Sequence, residues 1–137
     1  MNLQNPAPVD ILVVEDESNI RRLICGMLEQ SQFSVLETGL AHRAIGLLDS
    51  HPEIRLAIID MVMPGMSGGQ LAELLAGKYS AMKVLFVSGY SEKVVLRHKI
   101  LDVQTNFLQK PFTLKALAMK IREVLGHVSV SASAGGS

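Results

Sequence analysis

Cysteine and net charge are both scarce in this 137-residue chain, and each shortage excludes something. Cys25 is the single cysteine, so no intramolecular disulfide can form and the chain fits a reducing compartment. Its neighbours Ile24 and Met27 predict a semi-buried helical thiol, and no local signature pairs it with a histidine as a nucleophile would require. Thirteen basic residues balance thirteen acidic ones, which removes any bulk electrostatic pull toward nucleic acid or membranes. No apolar run approaches the length of a membrane span. Residues 1–8 have neither a basic n-region nor an apolar h-region, so a secretory signal is excluded and the cytoplasm is expected. Arg21-Arg22 lies inside a helical pattern, which argues against a twin-arginine export signal. His42, His51, His98 and His127 are scattered without metal-ligand spacing. Met61, Met63 and Met66 read as packing and loop cover, because thioethers suit soft metals.

Nearly half the residues are apolar, enough for one core without a disulfide or structural metal. Residues 1–8, with two prolines, read as a flexible leader, and residues 127–137, mostly Ser, Ala and Gly, as a flexible tail or linker. Between them, in residues 9–126, short apolar runs alternate five times with helical periodicity. The predicted strands are Val9 to Val14, Phe33 to Leu36, Leu56 to Ile59, Val84 to Val87 and Asn106 to Gln109. The first helix carries Ile20, Leu23, Ile24, Met27 and Leu28. The second carries Ala41, Ala44, Ile45 and Leu48 before His51-Pro52 stops it. Leu71, Leu74 and Leu75 mark the third, and residues 92–101 the fourth. Lys93, Arg97, His98 and Lys99 make that fourth helix basic, as a solvated face or a docking surface for an acidic partner. Thr113 caps a last helix whose stripe is Leu114, Leu117, Ala118, Ile121, Val124 and Leu125, closed by Gly126. Strict βα alternation predicts an α/β fold: a doubly wound five-stranded parallel sheet, strand order 2-1-3-4-5, flavodoxin-like.

In such a sheet every strand's carboxyl end points to one rim. Glu15 and Asp16 follow the first strand, Asp60 the third, Ser88 the fourth and Lys110 the fifth. Each alone has a plain structural reading: acids favour a helix N-terminus, lysines coat surfaces, and serines end strands. Their convergence changes the weighting. Several carboxylates crowded together repel unless a cation sits among them, and a hard dication with oxygen ligands meets that need. Asp16 and Asp60 are the expected direct ligands of Mg²⁺, with Mn²⁺ able to substitute. The Val62 backbone carbonyl would be a third, and Glu15 would act through a metal-bound water. Asp60 then stands as a nucleophile toward phosphorus, with Lys110, Ser88 and nearby backbone N–H groups taking the phosphoryl oxygens. Gly89 has no side chain to block approach.

With these residues in view, the chain resembles the CheY-like receiver domains of two-component response regulators. The matching pieces are Val13-Val14-Glu15-Asp16, the block from Asp60 through Met63-Pro64-Gly65 to Gly68, Val87-Ser88-Gly89, and Phe107-Leu108-Gln109-Lys110-Pro111-Phe112. The resemblance implies phosphotransfer to Asp60 from the phospho-His of a histidine kinase or histidine phosphotransfer domain, and a cis Lys110–Pro111 peptide. It further implies switching by Ser88 and Phe107 of the face formed by the fourth helix, the fifth strand and the last helix. A monomer or weak homodimer is expected, with no direct nucleic-acid or membrane contact and no activity beyond its own phosphorylation and dephosphorylation. Two departures stand out: Glu-Asp replaces the more frequent Asp-Asp, and Phe107 replaces a frequent Tyr, so no hydroxyl is available there. Ser88-Gly89-Tyr90 and the Phe107 to Thr113 segment look most like receivers of hybrid sensor histidine kinases, from which the leader would suit excision.

Two other functions compete. A phosphatase of the haloacid-dehalogenase type also uses an aspartate nucleophile, but places a second acid two residues later, where this chain has Val62. A flavodoxin-like cofactor binder needs a Ser/Thr/Gly-rich phosphate loop after the first strand, where acids here would repel phosphate. Incubation with Mg²⁺ and acetyl phosphate separates them: one stable phosphate per chain, catalytic phosphate release, or neither. Val62 and Tyr90 flank the acceptor in sequence without a polar group suited to orienting an attacking water, so a long-lived acyl phosphate is expected. Polar replacements at both positions should shorten the lifetime of the phosphorylated chain, read from ³²P loss after kinase removal. An unchanged or longer lifetime would contradict the expectation.

Overall fold

The computed structural model describes residues 8–61, 68–79, 81–89 and 106–126. Five strands run in the order β2-β1-β3-β4-β5, all parallel. They are β1 (Ile11–Val14), β2 (Val35–Thr38), β3 (Leu56–Asp60), β4 (Lys83–Ser88) and β5 (Asn106–Gln109). The helices among the described residues are α1 (Ser18–Gln30), α2 (Ala41–Ser50), α3 (Gly68–Lys78) and α4 (Leu114–Val124). The helix predicted over residues 92–101 lies outside the described residues, as do the leader through residue 7 and the tail from residue 127.

Side chains alternate across each strand, so the sheet has two apolar faces and needs a helical layer on each. On one face Leu12, Val14, Ala57, Ile59, Phe86 and Phe107 pack with Ala44 and Leu48 of α2 and Leu71 and Leu75 of α3. On the other Ile11, Val13, Leu56, Ile58, Leu85 and Val87 pack with Ile24, Cys25 and Leu28 of α1 and Leu117 and Ile121 of α4. The helices begin and end on side-chain chemistry. Glu17 caps α1 by accepting from the Ile20 N–H at 2.9 Å, and Thr113 caps α4 by accepting from Ala116 N–H at 3.0 Å. Gly126, at φ 84°, supplies the left-handed residue that follows α4.

Four expectations shift, the first being that β1 starts at Ile11 instead of Val9. The second strand starts at Val35 instead of Phe33, because the chain leaving α1 turns through Gln32 at φ 71°. Phe33 N–H then bonds back to the Leu28 carbonyl and Ser34 N–H to the Asp10 carboxylate. Pairing with β1, Ile11 against Val35 through Val14 against Thr38, fixes the strand's extent, not the local apolar run. The others are Leu23 and Leu74, counted in the apolar stripes of α1 and α3 but 59% and 51% exposed, while Ile24, Leu28, Leu71 and Leu75 are buried.

Truncating Leu75 to Ala should cost about 2–5 kcal/mol, whereas Leu74→Ala should change stability by less than about 0.5 kcal/mol, both read from urea midpoints. Cys25 is buried, and burial together with the nearby Glu37 and Glu29 carboxylates pushes its thiol from 9.0 up to about 12. The unfolded thiol ionises first as pH rises, so this group's stabilising contribution is intact below pH 9 and is lost toward pH 12. Iodoacetamide at pH 8.5 should therefore label Cys25 far faster in urea than in the folded protein.

Candidate functional site

The rim is assembled by strand parity. Val13, Ile58 and Leu108 belong to the face packed by α1 and α4, and Glu15, Asp60 and Lys110 each follow two residues later. Register keeps them level. Val14 pairs with Ile59, Asp60 with Val87, and Ser88 with Gln109. Backbone bonds extend the ladder past the strand ends, with Met61 N–H donating to Val87 O at 3.0 Å and Lys110 N–H to Ser88 O at 2.7 Å. The Lys110–Pro111 peptide is cis, as the resemblance implied.

Glu15, Asp16, Glu17, Ile20, Asp60, Ser88, Gly89 and Lys110 surround one open hollow of ≈ 380 Å³. Glu15, Asp60 and Ser88 are buried, at 1%, 6% and 1% exposure, while Asp16 is exposed. The Lys110 ammonium donates to Glu15 Oε1 at 2.8 Å and stands 3.7 Å from Asp60 Oδ1. The second Glu15 oxygen, Oε2, accepts from the Glu17 N–H at 3.2 Å. Both oxygens of the most buried acid are thus satisfied, which its burial demands.

Carboxylate oxygens of Glu15, Asp16 and Asp60 all lie within 4.8 Å of one another. Mg²⁺ takes oxygen ligands at about 2.1 Å and keeps several waters, so carboxylate oxygens this near one another can share such an ion directly or through its waters. One ammonium among three carboxylates leaves local negative charge that a dication would neutralise. The set is all oxygen, which suits a hard cation and not a soft one.

The residues expected at the rim therefore meet: Glu15, Asp16, Asp60, Ser88, Gly89 and Lys110 share the hollow. Val62 and Tyr90 lie outside the described residues. Phe107 is apart from the hollow, 8% exposed and packed in the α2 and α3 face that also holds Phe86. Sequence reasoning missed two contributors. Glu17 both caps α1 and steadies Glu15 through its N–H; its spacing to Ile20, three residues ahead, was the available signal. Arg21 reaches back from α1 to the Glu15 backbone carbonyl at 2.8 Å, a contact without a sequence signature. A second hollow, at the amino ends of β3 and β4, has its charges already engaged: Lys78 with Asp49 at 3.2 Å, His51 with Glu53 at 3.3 Å and Arg55 with Asp10 at 4.0 Å.

Comparison with known proteins agrees with this geometry. A family model described as response regulator receiver domain matches residues 11–122. The sensor kinase CckA of Brucella abortus is 34% identical over 116 residues, covering 84% of this chain and 12% of the kinase. A CheY homolog of Campylobacter jejuni is 31% identical over 119 residues, covering 85% of this chain and 92% of the homolog. This chain spans 30% of a matching cyclic di-GMP phosphodiesterase of Thermotoga maritima, so several relatives are much longer proteins. Among solved structures, a receiver domain protein of Clostridium thermocellum shares the fold with a TM-score of 0.76 at 24% identity, covering 89% of this chain and 98% of that one. With five parallel strands in the order 2-1-3-4-5 and this match to the family model, the chain belongs to the response regulator receiver domain family of two-component systems.

Proposed function

We propose that this receiver domain accepts a phosphoryl group on Asp60 from the phospho-His of a histidine kinase or histidine phosphotransfer domain, with Mg²⁺ held at the rim. The observation that carries the reading is the meeting of Asp60, Asp16 and Glu15 carboxylates with the Lys110 ammonium around one open hollow. An Asp60 carboxylate oxygen forms a bond to phosphorus as the phosphorus–nitrogen bond of the donor breaks, and the departing imidazole takes up a proton. Asp16 and Asp60 would hold the cation directly, with the Val62 carbonyl as a further ligand. Glu15 would act through a metal-bound water, since Lys110 and Glu17 already occupy its oxygens. When bound, Mg²⁺ supplies charge neutralisation on the transferring oxygens. Lys110, 3.7 Å from Asp60, would take a second oxygen, and Ser88 at the end of β4 a third. Gly89 leaves the approach to Asp60 clear.

Signalling then follows from Ser88 moving toward the added phosphoryl oxygens and Phe107 repacking, a shift between two packings of one fold. Phe107 starts from a buried position, so its movement exchanges one set of core contacts for another. The domain acts on itself and turns over no separate substrate. The partial coverage of CckA suits a receiver that works inside, or beside, a hybrid kinase in the cytoplasm.

Incubation of Asp60→Asn with Mg²⁺ and acetyl phosphate should give no acyl phosphate by intact-mass spectrometry, with urea stability within about 1 kcal/mol of the parent. Labelling that survives the substitution would place the acceptor elsewhere, and labelling that survives EDTA would remove the cation. Lys110→Met leaves the Glu15 carboxylate buried without its cation, so a loss of about 3 kcal/mol is expected. Adding Glu15→Gln to Lys110→Met should restore part of that loss in urea titrations, because it removes the buried charge of Glu15 while that of Asp60 stays.

A further inference from the structure

We propose that Arg21 is a positioning residue for the cation site, setting the direction in which Asp16 leaves β1; this rests on the rim being a Mg²⁺ site. Beyond Val14 the β1 ladder ends and the chain must turn into α1. Glu15 still donates its N–H to the Thr38 carbonyl at 3.1 Å, extending the pairing with β2 by one residue. Its own carbonyl is taken by a side chain instead, Arg21 Nη1 donating at 2.8 Å. That oxygen shares a rigid peptide plane with the nitrogen of Asp16, so anchoring it fixes the plane from which the Asp16 side chain departs. Asp16 is the exposed member of the carboxylate cluster, with little packing to hold it otherwise.

The guanidinium is itself held from the other side. Nε donates to Glu37 Oε1 at 2.7 Å, so the planar fork spans the carboxyl ends of β1 and β2. Gly39 makes room for it. A Cβ at Gly39 would stand 2.7 Å from Arg21 Nη1, closer than real contacts allow, and 3.6 Å from the Glu15 carbonyl oxygen. Gly39 does not have the positive φ that marks Gly126, so a methyl group there meets no backbone strain and its one severe clash is with the tip of the arginine. Gly39→Ala is therefore a way to push the guanidinium off the carbonyl while keeping the arginine in the chain.

The test is a double-mutant cycle of Gly39→Ala and Arg21→Gln, with Mg²⁺ affinity read from amide NMR shifts during MgCl₂ titration of the unphosphorylated domain. Urea midpoints are taken alongside. Each single variant should weaken Mg²⁺ binding about 10-fold or more, the range seen when groups orienting metal ligands are lost. The double variant should be no weaker than Arg21→Gln alone, because both changes break the same contact. Single variants that are folded and bind Mg²⁺ within about twofold of the parent overturn the inference, as do effects that multiply in the double variant. If Arg21→Gln does not fold, Gly39→Ala decides by itself, with the same twofold criterion. A parent chain whose amides do not respond to MgCl₂ instead overturns the underlying reading of the rim, and the inference with it.

Discussion

A buried carboxylate must be paired or it will not stay charged, and Glu15 is the acid on which this protein meets that constraint. It sits at 1% exposure with the Lys110 ammonium at 2.8 Å on one oxygen and the Glu17 N–H on the other. The Lys110 contact ties the end of β1 to the end of β5 across the ends of β3 and β4, between residues 95 apart in sequence. Asp60 lies between them, close enough to feel the same ammonium at 3.7 Å. The rim is thus an electrostatic closure of the sheet's open edge, and its three carboxylates outnumber the one ammonium that faces them.

The two apolar faces below give that rim its rigidity. β1 and β3 are buried along their whole length, so their registers leave no freedom to slide. A one-residue slip of β3 would turn Asp60 away from the α1 and α4 side and bury an apolar residue's position with a charge. Stability of the sheet and placement of Asp60 are therefore one requirement, and substitutions in either core reach the rim through register.

Helix α1 connects the two. Ile24, Cys25 and Leu28 dock it on the sheet, Glu17 caps its start beside the hollow, and Arg21 reaches back to the strand it follows. The same helix packs the core with one stripe and organises the backbone around the acidic pair with its first turn. The acidic run Glu15-Asp16-Glu17 consequently carries three distinct jobs: an internal ion pair, an exposed carboxylate beside Glu15 and Asp60, and a helix cap.

The sequence by itself determined the strand order, the helices found among the described residues, the sheet topology, the two-sided core and which residues gather at the rim. Those are local signals: apolar runs, helical spacing, and a charged residue where each strand stops. It started the first two strands two residues early and gave Leu23 and Leu74 to the core, because strand extent is set by a neighbour's register and helix rotation by what the helix lands on. Tertiary structure alone decided that Lys110 pairs with Glu15 more closely than with Asp60, that Phe107 is already buried, and that Arg21 passes over Gly39 to hold a carbonyl. These contacts join residues far apart in the chain or pair a side chain with backbone, and no residue pattern encodes a distance of that kind. Chemistry was written in the order of residues, whereas its geometry came from folding.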